Sequence, residues 1–188
     1  MKTLTNPRFG VLAVLVLLAA LTRLLPHPPN FTAVGAMALF GGAFFSNRVA
    51  AFLVPLASLW ISDLVLNNVV YREYNPSFAW FTPGGYWMYG SFALVVGLGI
   101  VLLKKVNFTN LLAASLSASV LFYLVTNFGV WYGGSMYPAT REGLVACYVA
   151  AIPFFGNTLA GDLFFCGVLF GMFGLAQRRF PALVPKKA

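Results

Sequence analysis

Acidic residues, histidine and cysteine are all scarce in this chain, and each shortage excludes a chemistry. Of 188 residues only 4 are Asp or Glu, 1 is His and 2 are Cys. A lone histidine and Cys147 and Cys166, both in apolar surroundings, form neither a zinc spacing nor a disulfide framework, so no metal or redox cofactor is expected. No glycine-rich Walker loop is present, so the chain cannot hydrolyse a nucleotide by itself. No serine sits in a nucleophile motif beside a base. An acid–base pair of His27 with Asp63 is the remaining enzymatic option, and it lacks a nucleophile to serve. Charge of either sign makes up 9% of the sequence against 60% hydrophobic residues. A soluble domain of this size could not hide that much apolar surface, so the solvent is lipid.

The apolar stretches fall at about 9–25, 31–45, 49–70, 86–103, 110–132 and 143–177. A spanning helix needs roughly 20 apolar residues. The first stretch follows Lys2 and Arg8 like a signal peptide, but no small-residue cleavage site precedes a soluble domain, so a retained helix is expected. The second is short and rich in glycine, as expected of a helix packed closely against its neighbours. The last is too long for one span and contains Pro153, Gly156 and Asn157. It reads as a span over 156–177, with 143–155 interfacial or the outer part of a broken helix. The fold expected is an all-α membrane domain of six transmembrane helices.

The +8 net charge is accounted for by orientation and needs no nucleic-acid partner. With six spans and a cytoplasmic N-terminus, nine basic residues (Lys2, Arg8, Arg48, Lys104, Lys105, Arg178, Arg179, Lys186, Lys187) lie inside and three (Arg23, Arg72, Arg141) outside. That is the positive-inside bias, with both termini cytoplasmic. The outer side then collects most of the polar and aromatic chemistry. Arg23-Leu24-Leu25-Pro26-His27-Pro28-Pro29-Asn30 is a stiff corner, because proline lacks the amide hydrogen and forces its predecessor out of the helical region. Tyr86, Trp131 and the loop 71–86 face the same way. The turn residues Asn75-Pro76 and Pro83-Gly84-Gly85 give that loop the chemistry of a mobile lid.

Two carboxylates, Asp63 and Asp162, fall inside apolar helices, where a charge is costly and is paired or functional. Asp63 shares a helix face with Trp60 and Asn67, with Arg23 or Arg141 as counter-ion. Tyr123, Asn127 and Trp131 form a stripe at four-residue spacing on the fifth span. Asn157, Thr158 and Asp162 staple the last helix. The small residues Ala114 to Ser119 permit close packing of the fifth helix.

Taken together, Arg23-Leu24-Leu25-Pro26-His27-Pro28-Pro29-Asn30-Phe31-Thr32, Gly35 to Gly42, Ser62-Asp63-Leu64, Thr126 to Trp131 and Pro153 to Thr158 with Gly161-Asp162-Leu163-Phe164 resemble a family of small bacterial inner-membrane transport proteins. In size and layout the chain is similar to the S components of energy-coupling-factor (ECF) vitamin transporters, and in particular to the solitary cobalamin-transporting BtuM-like proteins. The resemblance implies a six-helix S-component-like bundle in the bacterial inner membrane and an outward-facing pocket for a small-molecule substrate such as a vitamin, cobalamin-like. It also implies an ATPase and scaffold module as partner, beside the lipid bilayer. Two features depart from that pattern. The loop 71–86 holds no cysteine to ligate cobalt, and the first helix has no alanine pair four residues apart for docking on a shared scaffold. The substrate-binding set expected is Arg23, His27, Asn30, Asp63, Tyr86, Asn127 and Trp131, with Asn157 and Asp162 as structural polar residues. The alternative is a non-transporting structural or assembly subunit, in which the same groups serve packing alone.

Overall fold

The structure is a computed structural model that describes residues 7–75, 77–82 and 84–184. Lys2, Pro76, Pro83, Lys186 and Lys187, which figured in the loop and charge expectations, lie outside the described residues. Six α-helices carry the fold: α1 Pro7–Leu21, α2 Val34–Phe44, α3 Arg48–Val65, α4 Gly85–Leu102, α5 Phe108–Gly133 and α6 Arg141–Arg179. Side-chain caps start three of them. Asn47 accepts from the amide of Val49 at 2.8 Å, Asn107 from Asn110 at 2.8 Å, and Thr140 from Gly143 at 3.2 Å. Each cap satisfies an amide that the first helical turn leaves without a partner. The last turn of α3 loosens into a π-helical turn over Leu66–Val70.

Five of these segments are long and apolar enough to cross a membrane. The expected six spans become five and a short sixth helix, because α2 has only 11 residues. At 1.5 Å per residue it is about 16 Å long, roughly half the hydrocarbon thickness. The expected break before residue 156 is also absent: α6 is one helix of 39 residues that runs through Pro153. Residues 143–155 are therefore part of α6 and not a separate interfacial segment. Membrane helices accommodate proline where neighbouring elements satisfy the freed backbone groups.

The bundle places its apolar surface on both inside and outside. Leu18, Leu53, Leu94, Val149, Met172 and Leu175 are all more than half exposed, whereas Ser58, Ser62, Asp63, Ser91, Ser115, Ser119, Thr158 and Asp162 are buried. This is the distribution of a protein whose surroundings are lipid. The integral-membrane, all-helical character expected from composition thus holds in the fold.

The short α2 is the centre of the bundle. It packs against all five other helices, and every residue from Val34 to Gly42 is buried. Glycines make this possible by close approach. A methyl group on Gly42 would collide with the backbone of α4 at Val96 and Ile100, and one on Gly99 with the backbone of α2 at Leu39. Phe40 and Phe44 meet Phe170 and Phe173 of α6 with ring centroids 4.7–5.5 Å apart. Without a hydrophobic driving force between helices in lipid, such tight packing carries much of the association.

Candidate functional site

Successive helices alternate in direction. Arg8 at the start of α1 donates to the carbonyl of Phe44 at the end of α2 (3.2 Å), and Tyr148 near the start of α6 donates to Leu124 in the second half of α5 (2.7 Å). One end of the bundle therefore gathers Arg8, Arg48, Lys104, Lys105, Arg178 and Arg179. The other end gathers the corner after α1, the loop after α3 and the α5–α6 connection. Because α2 begins only at Val34, α4, α5 and α6 run past its first turn, and the space between them is open.

That space is a vestibule of about 670 Å³. Tyr86, Trp87 and Met88 of α4, Phe122, Tyr123, Thr126 and Asn127 of α5, and Phe154, Phe155 and Thr158 of α6 wall it, with Gly134, Ser135 and Met136 at the α5–α6 connection. Beneath it lies a second cavity of about 90 Å³, lined by Arg23, Asn30, Thr32, Gly35, Met88, Phe122, Thr158 and Asp162 among others. Asn30, Met88, Phe122 and Thr158 line both spaces and stand between them. Asn30 holds its place with a left-handed backbone, φ 64°, a conformation that asparagine tolerates better than most residues.

Two carboxylates flank the inner cavity in different ways. Asp63, 2% exposed, accepts from Arg23 Nη1 at 2.6 Å through Oδ1 and from the Tyr89 hydroxyl at 2.6 Å through Oδ2. Arg23 Nη1 also reaches Ser62 Oγ at 2.6 Å, and Ser62 in turn donates to the carbonyl of Leu59. This cluster joins the end of α1 to α3 and α4. Asp162, 4% exposed, accepts a single hydrogen bond, from Ser119 to Oδ2 at 2.6 Å. Its Oδ1 lies against Gly35, where any side chain would collide with it.

The residues expected to bind a substrate are thus sorted by the fold. Arg23 and Asn30 line the inner cavity, and Asn30, Tyr86 and Asn127 line the vestibule. Asp63 stands behind Arg23 as its counter-ion and lines neither space. His27 is exposed on the corner, its Nδ1 2.9 Å from the carbonyl of Pro28, and belongs to neither cavity. Trp131 turns away to donate to the carbonyl of Pro138 at 3.0 Å, so the stripe of the fifth span lines the vestibule with Tyr123 and Asn127 only. Asn157 ties α6 to the corner by donating to the carbonyl of Pro29 at 3.0 Å. Asp162, expected to be structural, is on the inner cavity wall.

Sequence reasoning missed Tyr89, Ser119, Met88 and Phe122. Each is an ordinary helical residue, and only the register between helices gives it a part. Gly35 carried the one usable signal, since a glycine in a helix interior marks a close approach.

The loop after α3 is pinned to that helix. Asn68 exchanges two hydrogen bonds with the backbone of Ala79 (2.7 and 2.9 Å), Asn67 donates to Thr82 at 3.0 Å, and Trp60 donates to the carbonyl of Trp80 at 3.0 Å. Trp60 and Asn67 therefore hold the loop, while Asp63 on the same helix face holds α1 and α4.

No curated protein and no solved structure matches this chain. A family profile matches residues 3–183, nearly its whole length. The chain belongs to that family, described as a family of unknown function (DUF6580).

Proposed function

We propose that the chain is a membrane transport protein that binds a small organic nutrient, such as a vitamin, in the vestibule and admits it across the membrane. The observation that carries this reading is the stacked pair of cavities. A vestibule of about 670 Å³ lies above a smaller, mainly apolar cavity of about 90 Å³ into whose wall Arg23 and Asp162 bring charged groups. The vestibule is within the size range of small-molecule sites, roughly 300–1,000 Å³, and is walled by aromatics with a few polar groups. Aromatic side chains supply area and stacking, and Asn127, Thr126 and Asn30 fix orientation.

The S-component-like arrangement is the preferred form of this reading. Both termini would be cytoplasmic in a bacterial inner membrane, the basic end of the bundle inside and the vestibule outside. Transport would then draw on a separate ATPase and scaffold module, since the chain has no nucleotide loop of its own. A corrinoid exceeds the vestibule and would be seated in it only in part, so a smaller vitamin suits the volume better.

The test is to purify the protein in mild detergent and identify by mass spectrometry any small molecule bound near stoichiometrically. Uptake of that molecule into cells producing the protein is then measured. A retained compound that is also accumulated supports transport. A protein that emerges empty, whose melting temperature ignores a panel of vitamins and whose production changes no uptake, is a structural subunit instead.

A further inference from the structure

We infer that the inner cavity receives the positively charged end of the bound molecule, a primary ammonium group, while its uncharged body lies in the vestibule. This rests on reading the two cavities as one substrate site. The first argument is charge. Arg23 and Asp162 are the ionisable residues that line the cavity, and Arg23 is already neutralised by Asp63 at 2.6 Å. Among the described residues Asp162 has no ion-pair partner, and one hydrogen bond from Ser119 is all its carboxylate receives. When Asp162 is ionised, Arg23, Asp63 and Asp162 together carry one net negative charge in a low-dielectric site, and an added cation both neutralises that charge and favours the ionised form.

The second argument is hydrogen-bonding capacity. An ammonium presents three donors and no acceptor. Thr158 gives its own hydroxyl proton to the carbonyl of Phe154 at 3.2 Å, so its oxygen is free to accept on the cavity side. Asn30 lines the same cavity with a side-chain amide whose oxygen can accept. With Asp162 these make three acceptors for three N–H groups. An anion would also find donors, in Arg23 and in the Asn30 amide, but it would be brought against the Asp162 carboxylate.

Size is the third argument. The inner cavity, about 90 Å³, is far smaller than the vestibule of about 670 Å³, so the slender aminomethyl or aminoethyl end of a molecule suits it and the bulkier ring suits the vestibule. A ring would remain above, among Tyr86, Trp87, Tyr123 and Phe155. Gly35 matters here, because its missing side chain is what leaves Asp162 Oδ1 room at the cavity wall.

The test uses full-length protein in detergent at neutral pH, titrated with phenethylamine and tryptamine, and with phenethyl alcohol and hydrocinnamate as uncharged and anionic counterparts. The amines are expected to bind at least about tenfold more tightly than the alcohol, with the acid weakest. Asp162→Asn should erase the preference for amine over alcohol. Should that variant not fold, Thr158→Val serves, with about a threefold loss for the amines alone. Equal binding of amine and alcohol, tighter binding of the acid, no binding of either amine, or a preference that survives Asp162→Asn each overturns the inference. Uptake into cells that produce the protein together with an ATPase and scaffold module separates it from the transport reading. Amine binding without uptake leaves the ammonium site standing and removes transport, whereas uptake of a neutral or anionic cargo does the reverse.

Discussion

Asp63 and Asp162 are carboxylates of the same kind, 2% and 4% exposed, each in the interior of an apolar helix. Their surroundings differ. Asp63 has a guanidinium on one oxygen and a phenol on the other, and it lines neither the vestibule nor the inner cavity. Asp162 has one hydroxyl, a glycine and empty space. A buried charge whose partners are all internal is a fastener, since everything it gains is gained on folding. A buried charge left short of partners beside a cavity has its remaining interaction to make with something that arrives later. Two similar residues can therefore be given different work by what the neighbouring helices bring to them.

The largest effect that would test this contrast is expected from Asp63→Ala. It leaves the largely buried Arg23 without its counter-ion and should lower stability by about 3–5 kcal/mol, read by thermal or denaturant unfolding in detergent. A loss no greater than that of an ordinary surface substitution would remove Asp63 from its fastening role. Tyr89→Phe keeps the ring and deletes one bond to the carboxylate, so a loss of about 1.5 kcal/mol is expected in the same assay. Asp162→Asn should be smaller still, within about 1 kcal/mol and in either direction, because Ser119 can still donate and an under-partnered charge has been removed. If it destabilises as much as Asp63→Ala, the two sites are alike and the contrast fails. His27→Ala is expected to change neither stability nor binding of any vestibule ligand, since the imidazole lies on an exposed corner away from both cavities. Impaired ligand binding in that variant would bring the corner into the site.

Much of the fold was legible because lipid enforces long apolar helices. The stretches 49–70, 86–103 and 110–132 agree within two residues with Arg48–Val70, Gly85–Leu102 and Phe108–Gly133. Pro153 misled the reading of the last helix. Proline removes one backbone donor and crowds the preceding turn, yet inside a bilayer a non-helical backbone would leave many more groups without partners, so the helix persists through it. The Arg23–Asp63 pair was legible as one of two options, because a buried acid demands a counter-ion and few bases sit at that end. The place of Asp162 was not. Nothing along the chain says that Ser119 stands opposite it or that Gly35 clears the space in front, since interhelical register depends on contacts more than 40 residues apart in sequence. His27 drew attention through its chemistry alone, and chemistry without a neighbouring cavity gives it nothing to act on.

The brevity of α2 has a consequence for biosynthesis. A helix of 11 residues is too short to be recognised on its own as it leaves the ribosome, and it must enter the membrane in the company of longer neighbours. Its permanent surroundings include α4, α5 and α6, none of which has been made when α2 emerges. The segment at the centre of the bundle is thus synthesised before three of the helices that enclose it. Until α6 arrives, Gly35 has no Asp162 to face, so the inner cavity comes into existence only once α6 has been made.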